Sequence, residues 1–338
     1  MKDELEALPL PSIDFPYSLG APTAGADFRS TPDDFIVDEN LGFSPDGAGE
    51  HLVVQLRKRS DNTAWIVDQL ATHFGLKPMD IGFCGLKDRH AVTSQWFSVY
   101  LPKTDPANDE AEINRLIDSS ESELVLLAVS RHSKKLRRGQ HHSNLFKICL
   151  RNLTNADDLS ERLTRIAERG VPNYFGEQRF GRGGSNLYWA RRWFEAGDTI
   201  RSRNKKVMAK SAARSYLYNL VLAARVEQGN WFQTLDGLPE SNTGPLWGRG
   251  RSIVAPDLAA QEAVILEPWQ AWLEGLEHVG LTQERRLLRL MPENFSWVLE
   301  GESLTLNFAL PPGTYATSIL RELAVLDNRS SQPETVDG

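Results

Sequence analysis

Cysteine is scarce in this chain, and long apolar runs are absent. Cys84 and Cys149 are the two cysteines among 338 residues, too few for a disulfide framework or for a zinc site built on thiolates. A membrane-spanning helix needs about 18 apolar residues in a row, and no stretch reaches that length without a charge. The first residues, MKDELEALPLPS, carry acids where a secretory signal needs a basic start. We therefore expect a globular, cytoplasmic protein that does not associate with membranes.

Acidic residues are absent from two long stretches, although the net charge of the chain is −7. No acid occurs between Glu123 and Asp157, or between Asp198 and Glu227. The first stretch carries a dense basic cluster, Lys134, Lys135, Arg137 and Arg138. Salt limits each charge to a range of about 8 Å, so a basic tract can bind phosphates on a protein that is acidic as a whole. Two ordinary solvated faces are the alternative interpretation.

The hydrophobic pattern predicts alternating strands and helices. The β-branched runs at 34–38 and 51–56 indicate strands, and TAWIVDQLATHFG indicates a helix with Asp61 or Asn62 as its N-cap and with Trp65 on its apolar face. Further strands are predicted at 82–85, 95–101, 124–129, 145–153 and 303–310, and further helices at 158–168 and 318–326.

Four polar residues stand together in the stretch GLKDRHA, ahead of a predicted strand. They are Lys87, Asp88, Arg89 and His90. A run of charges is usually a solvated turn. It lies here in a connection between two strands, however, where a rigid scaffold can hold functional groups. The stretch is therefore a candidate site.

A second candidate is VPNYFGEQRFGRGGSN, at residues 171–186. Its glycines do not match GxGxxG, and no acid follows at the distance that a ribose contact needs, which argues against a dinucleotide site. Aromatic rings, amides and guanidinium groups stand together in this glycine-punctuated loop, as binding of an unpaired base requires. A role of these aromatic residues in the core is the alternative.

These two stretches, with FRSTPDDFIVDE, SAARSYLYN and LPPGTYATSILREL, resemble the TruD family of tRNA pseudouridine synthases in order over nearly the whole chain. The resemblance implies an α/β (α+β) fold, with a mixed, largely antiparallel sheet in a catalytic domain of pseudouridine synthase type. That domain would comprise residues 1–197 and 291–338, and residues 198–290 would form an inserted second α/β domain specific to the family. We also expect a monomer.

The resemblance also implies roles for individual residues. Asp88 matches the catalytic aspartate of the family, and Asn173 and Phe175 match an active-site asparagine and a phenylalanine that stacks on the target base. Arg29 and Tyr315 stand where some members have lysine and phenylalanine. The predicted substrate-binding residues are Arg29, Phe35, Lys87, Arg89, His90, Asn173, Phe175, Arg179 and Tyr315. The cation beside Asp88 could be Lys87, Arg89 or Arg29.

The implied reaction isomerises a uridine of tRNA, at position 13 in the D arm. The N1–C1′ bond breaks, the uracil turns, and C5 bonds to C1′, so we expect no metal and no cofactor. An ionised carboxylate can act at C1′, as in glycosidases, or remove a proton from C2′, and the base must be flipped out of its stack. Two other classes stay open: an RNA-binding protein or RNA chaperone without catalysis, and a glycosidase-like hydrolase that would need a second carboxylate, with Glu177 as the nearest candidate.

Overall fold

The computed structural model describes residues 10–235, 239–251 and 253–331. The chain forms two compact units, each assembled from separate segments. We name as the sheet unit the described residues of Thr23–Leu159, Pro292–Gly313 and Ala324–Gly338. The helical unit consists of the described residues of Met1–Pro22, Ser160–Met291 and Thr314–Leu323.

The sheet unit is built on one large mixed sheet. Its strands are β1 (Gly25–Phe28), β2 (Phe35–Asn40), β3 (His51–Arg59), β4 (Ile81–Phe83), β5 (Val92–Tyr100), β6 (Leu124–His132), β7 (Ser143–Thr154), β12 (Glu293–Glu300), β13 (Ser303–Leu310) and β14 (Val325–Asn328). The main order is β12-β13-β7-β2-β5-β3-β6, with β4 beside β5, and with β1 between β7 and β14. The pairs β2·β5 and β1·β14 are parallel, and the other pairs of this sheet are antiparallel. The predicted mixed α+β fold with a largely antiparallel sheet is confirmed.

Two helices pack on this sheet, α1 (Thr63–His73) and α2 (Asp109–Ser119). Asn62 caps α1, because its side chain accepts a hydrogen bond from the Trp65 backbone N–H at 2.8 Å. Ile66 and Leu70 of α1 are fully buried in the core, but the Trp65 residue is 43% exposed, so its predicted place on the apolar face was wrong. Helix α2 lies in residues 105–123, an acid-rich segment that precedes the first acid-free stretch.

The helices of the helical unit are α3 (Leu159–Arg169), α4 (Ser185–Phe194), α5 (Arg203–Glu227), α6 (Pro256–Leu266), α7 (Gln270–Glu277) and α8 (Ala316–Leu323). The first residue of α3, Leu159, belongs to the sheet unit. Two short antiparallel pairs accompany them: β9 (Thr243–Leu246) with β10 (Glu284–Leu287), and β8 (Val171–Pro172) with β11 (Arg289–Leu290). Helix α5 contributes buried residues along most of its length to the core. The core therefore lies around α5.

One predicted boundary needs correction. The helix predicted at 318–326 ends at Leu323, and Val325 begins β14. The Val325 N–H donates to the Ala24 carbonyl at 2.8 Å, so pairing with β1 replaces the last helical turn. The division of the sequence at residues 198 and 290 stays a prediction. In the described residues, no helix is long and apolar enough to cross a membrane.

Candidate active site

Asp88 lies in the loop formed by residues 84–91, between β4 and β5 of the sheet unit. Its side chain is 41% exposed. Arg29 Nη2 donates a hydrogen bond to Asp88 Oδ2 at 3.0 Å, from a side chain that is 15% exposed. Of the three cations proposed from the sequence, Arg29 is therefore the one that pairs with Asp88. The carboxylate remains open to solvent while one of its oxygens is held.

Arg29 follows β1 in an uncommon backbone conformation, with φ of +59°. A left-handed conformation costs a residue with a side chain about 1–2 kcal/mol. The guanidinium carbon lies 4.1 Å from the ring centroid of Phe35 and 4.8 Å from that of Phe28. These cation–π contacts and the bond to Asp88 together offset the cost. Phe35, which is buried, therefore supports the cation beside Asp88.

The other three polar residues of the loop point elsewhere. The Lys87 side chain is buried and pairs with Glu39 at 2.5 Å. Arg89 is exposed and donates from Nε to the Ser60 carbonyl at 3.3 Å, and His90 is exposed. The substrate-binding roles of Lys87, Arg89 and His90 stay predictions.

A second cluster surrounds Phe175 in the helical unit. Asn219, which is fully buried on α5, accepts from the Phe175 N–H at 3.0 Å and donates to the Phe175 carbonyl at 2.9 Å. The Phe175 ring packs edge-on against Tyr218, with 5.4 Å between centroids, and lies 6.3 Å from the ring of Tyr315. Two side-chain hydrogen bonds thus fix the backbone of the predicted stacking residue.

Two guanidinium groups lie over the Phe175 ring. The guanidinium carbon of Arg286 is 4.2 Å from the ring centroid, and that of Arg179 is 5.2 Å from it. Arg179 also donates to the Tyr315 hydroxyl and, at 2.9 Å, to Ser211 Oγ. The predicted residues Phe175, Arg179 and Tyr315 are therefore brought together within this unit.

Asn173 joins the cluster through Arg286. Arg286 Nη2 donates to Asn173 Oδ1 at 2.6 Å, and Asn173 Nδ2 donates to the Leu287 carbonyl at 2.8 Å. Burial lowers the pKa of the Arg286 guanidinium. The sequence reasoning missed Arg286, and its only signal was the arginine pair in the stretch ERRLLRL.

Comparison with known proteins gives the relatives of the chain. Residues 15–190 match the family model of tRNA pseudouridine synthase D (TruD). The tRNA pseudouridine synthase D of Cellvibrio japonicus is 48% identical over 324 residues, which cover 94% of this chain and 95% of that protein. The one of Aeromonas hydrophila is 44% identical over 334 residues, which cover 91% and 93%. The chain belongs to the TruD family.

A solved TruD structure supports the fold. The structure of a tRNA pseudouridine synthase D (TruD) of Methanosarcina mazei superimposes with a TM-score of 0.66 and 22% identity, covering 91% of this chain and 95% of that one. The range matched by the TruD family model includes Arg29, Phe35, Asp88, Asn173 and Phe175. Both clusters therefore contribute residues to the range that the family model matches.

The first basic tract of this TruD protein contains cations with different surroundings. Lys134 and Arg137 are exposed. The guanidinium carbon of Arg138 lies 3.9 Å from the Phe83 ring centroid, and Lys135 donates to the Met79 carbonyl. Arg138 is exposed as well, but its guanidinium packs on an aromatic ring, whereas Lys135 is partly buried.

The second basic tract, in the acid-free stretch between Asp198 and Glu227, also contains both buried and exposed cations. Arg225 is buried and donates to the Ser241 carbonyl at 2.9 Å. Lys205 lies over Trp189, with 4.2 Å between its ammonium and the ring centroid. Arg225 therefore stabilises the fold, whereas Lys205 is exposed at the start of α5.

The described part of the chain shows neither a reactive thiol at Cys84 nor a cluster of metal ligands. Burial raises the pKa of the Cys84 thiol to about 12, so its thiolate is scarce at neutral pH. Among the described residues, no group of three His, Cys, Asp or Glu side chains is placed to hold a metal ion. Cys84 is a packing residue in the core of the sheet unit.

Proposed function

We propose that this protein isomerises a uridine of tRNA to pseudouridine, at position 13 in the D arm, with Asp88 as the catalytic carboxylate. Membership of the TruD family supports the reaction class. The observation that carries the role of Asp88 is its geometry: a carboxylate that is 41% exposed and is anchored by Arg29 through Oδ2. A cation on one oxygen orients the carboxylate.

The Asp88 carboxylate can act by either of two routes. It bonds to C1′ as the N1–C1′ bond breaks, and is displaced when C5 of the turned uracil attacks the same carbon. Alternatively, it removes the proton from C2′ as uracil departs, and returns that proton when C5 bonds to C1′. In both routes the C5 proton is lost to solvent after the new bond forms, and N1 takes up a proton, so that the product is neutral. Neither route consumes a metal or a cofactor, and we propose that none is used.

For the helical unit we propose recognition of an unpaired base. Phe175 offers an aromatic ring, Asn173 an amide, and Arg179 and Arg286 guanidinium groups, which are the groups that bind extruded bases in RNA. The fixed backbone of Phe175 supports this proposal, because a stacking ring is useful only when its position is set beforehand. We expect the enzyme to act as a monomer in the cytoplasm.

The test is release of tritium from tRNA labelled at C5 of uridine, with no cofactor added. We expect release by the wild-type protein and by the control variant Asp68→Asn, which changes an exposed carboxylate on α1. We expect none from Asp88→Asn, whose affinity for tRNA should change less than about tenfold. With a labelled tRNA that carries cytidine in place of uridine 13, we expect no tritium release above background.

Three outcomes would contradict the proposal. Turnover by Asp88→Asn would refute the catalytic role of that residue. Tight binding of tRNA without release by the wild-type protein would favour an RNA-binding protein without catalysis. Unchanged release from the tRNA that lacks uridine 13 would move the target to another position.

A further inference from the structure

Lys87 precedes Asp88 in the chain, but its side chain points into the protein. Lys87 Nζ lies 2.5 Å from Glu39 Oε2, and the two side chains are 4% and 0% exposed. The second carboxylate oxygen of Glu39 accepts from the Trp96 N–H at 3.1 Å. This ion pair therefore ties the Asp88 loop to β2, where Glu39 lies, and to β5, where Trp96 lies.

The backbone of the same loop is tied at two further points. The Lys87 N–H donates to Thr63 Oγ1 at 2.9 Å, and this hydroxyl donates to Gln95 Oε1 at 2.9 Å. Gln95 Nε2 then donates to the Gly85 carbonyl at 2.6 Å. Thr63 and Gln95 are both buried. The loop is thus held on either side of its exposed Leu86, two residues before Asp88.

We propose that Glu39 and Lys87 are positioning residues that aim the Asp88 carboxylate. The inference rests on the proposed function, in which Asp88 is catalytic. The Lys87 side chain is 4% exposed and that of its neighbour Asp88 is 41% exposed, so one points into the protein and the other towards solvent. An inward Lys87 therefore fixes an outward Asp88.

A buried ion pair is a poor way to gain stability alone. Removing two charges from water costs much of what their attraction returns, and apolar residues of similar volume often serve as well. The pair at Glu39 and Lys87 instead supplies a directional contact that an apolar pair lacks. That contact matters for a carboxylate that must remain exposed to reach its substrate, because an exposed side chain is otherwise mobile.

The sheet unit offers a matched control pair. Asp109 and Arg131 are also buried, with side chains 9% and 4% exposed, and Arg131 Nε and Nη2 each donate to the Asp109 carboxylate at 2.5 Å. Asp109 lies on α2, and neither residue belongs to the loop of residues 84–91. Asp109→Asn therefore neutralises a buried carboxylate of the same kind without changing a tether of Asp88.

The experiment compares Glu39→Gln with Asp109→Asn in steady-state tritium release, with Asp88→Asn as the inactive reference. We expect Glu39→Gln to lower kcat by about ten- to a hundredfold, because a displacement of about 1 Å can cost that much. We expect KM for tRNA to change less than about threefold, because the variant leaves the binding residues in place. Asp109→Asn should keep kcat within about twofold of wild type.

Hydrogen exchange provides a readout that separates positioning from general stability. Amides of residues 84–91 should exchange faster in Glu39→Gln than in Asp109→Asn, while the melting temperatures of the two variants remain similar. If Glu39→Gln does not fold, the double variant Glu39→Gln with Lys87→Met removes both buried charges. It should fold, and its kcat should still be low.

Each outcome decides for or against the inference. A wild-type kcat in Glu39→Gln, with Asp88→Asn inactive, would overturn the inference and leave the proposed function intact. Parallel losses of kcat and melting temperature in Glu39→Gln and Asp109→Asn would also overturn it, because the pair would then only stabilise the fold. Turnover by Asp88→Asn would refute the proposed function and the inference with it.

Discussion

Replacement of Arg29 by methionine should slow the isomerisation without abolishing it. Methionine keeps an apolar stem over the Phe35 ring but removes the guanidinium that donates to Asp88 at 3.0 Å. A hydrogen bond to a charged group is worth about 1.5–3 kcal/mol. The Asp88 side chain is 41% exposed, so solvent reduces this to about 1–2 kcal/mol. That energy corresponds to a loss of about 5- to 30-fold in kcat.

Lysine at position 29 should preserve most of the activity. Its ammonium retains the charge beside Asp88, but it cannot lie flat over the aromatic ring as a guanidinium does. We therefore expect kcat within about fivefold of wild type. Both variants lose a stacked cation worth about 0.5–2 kcal/mol, which should lower the melting temperature by a few degrees.

The assay is single-turnover tritium release at saturating enzyme, with tRNA affinity measured separately. Arg57→Met serves as the control, because Arg57 is an arginine of the same unit whose side chain is 47% exposed and whose nearest carboxylate, on Asp38, is 3.9 Å away. A wild-type rate in Arg29→Met would refute the idea that this cation orients Asp88. An equally slow Arg29→Lys would show that the ring contact, not the charge, is what matters.

Two further predictions concern charge. Replacing Lys134 and Arg137 by glutamine should weaken tRNA binding and reduce the slope of log affinity against log salt by about 1–2. The control replaces the exposed Lys103, beside the acid-rich residues 105–123, and should leave this slope unchanged. Equal slopes in both variants would remove the tract from the RNA-binding surface. Burial lowers the pKa of Lys58 to about 8 from 10.5. The unfolded chain therefore binds this proton more readily between the two values, and stability should rise with pH there, by about 2 kcal/mol from pH 8 to pH 10 relative to Lys58→Met. Urea denaturation of both proteins at the two pH values measures the difference, and parallel curves would contradict the effect.

The sequence identified the Asp88 loop correctly but could not identify its cation. The run GLKDRHA predicts a polar connection between strands, and residues 84–91 form one between β4 and β5. Lys87 and Arg89 are adjacent to Asp88 in sequence and could not be ranked against Arg29. The structure pairs Asp88 with Arg29, which lies 59 positions away. Lys87 is buried while Asp88 is partly exposed, so the contact with Asp88 comes from a residue distant in the chain, which follows β1, and strand pairing is a long-range property.

Charge counting along the sequence had the same limit. Arg131 lies in the first basic tract, but it is buried in an ion pair with Asp109, from the acid-rich residues 105–123. One basic and one acidic residue are thereby removed from the surface. Arg225 in the second tract is likewise buried. Composition predicts how much charge a segment has, but only the packing of helices on the sheet decides which charges reach solvent. Lys134, Arg137 and Arg138 are the exposed members of the dense basic cluster in the first tract.

Both clusters solve the same physical problem with a buried polar residue. A group that acts on RNA must hold a defined position, and its side chain can do so only where the backbone is fixed. Asn219 fixes the backbone of Phe175 through two hydrogen bonds, and Glu39 holds the residue before Asp88 through an ion pair. Asn219 and Glu39 are 0% and 2% exposed. Neither can touch the substrate directly, so their polarity is explained by the backbone that each one fixes: that of Phe175, which is itself 8% exposed, and that of the residue before the 41% exposed Asp88. Loss of either should affect turnover more than tRNA affinity.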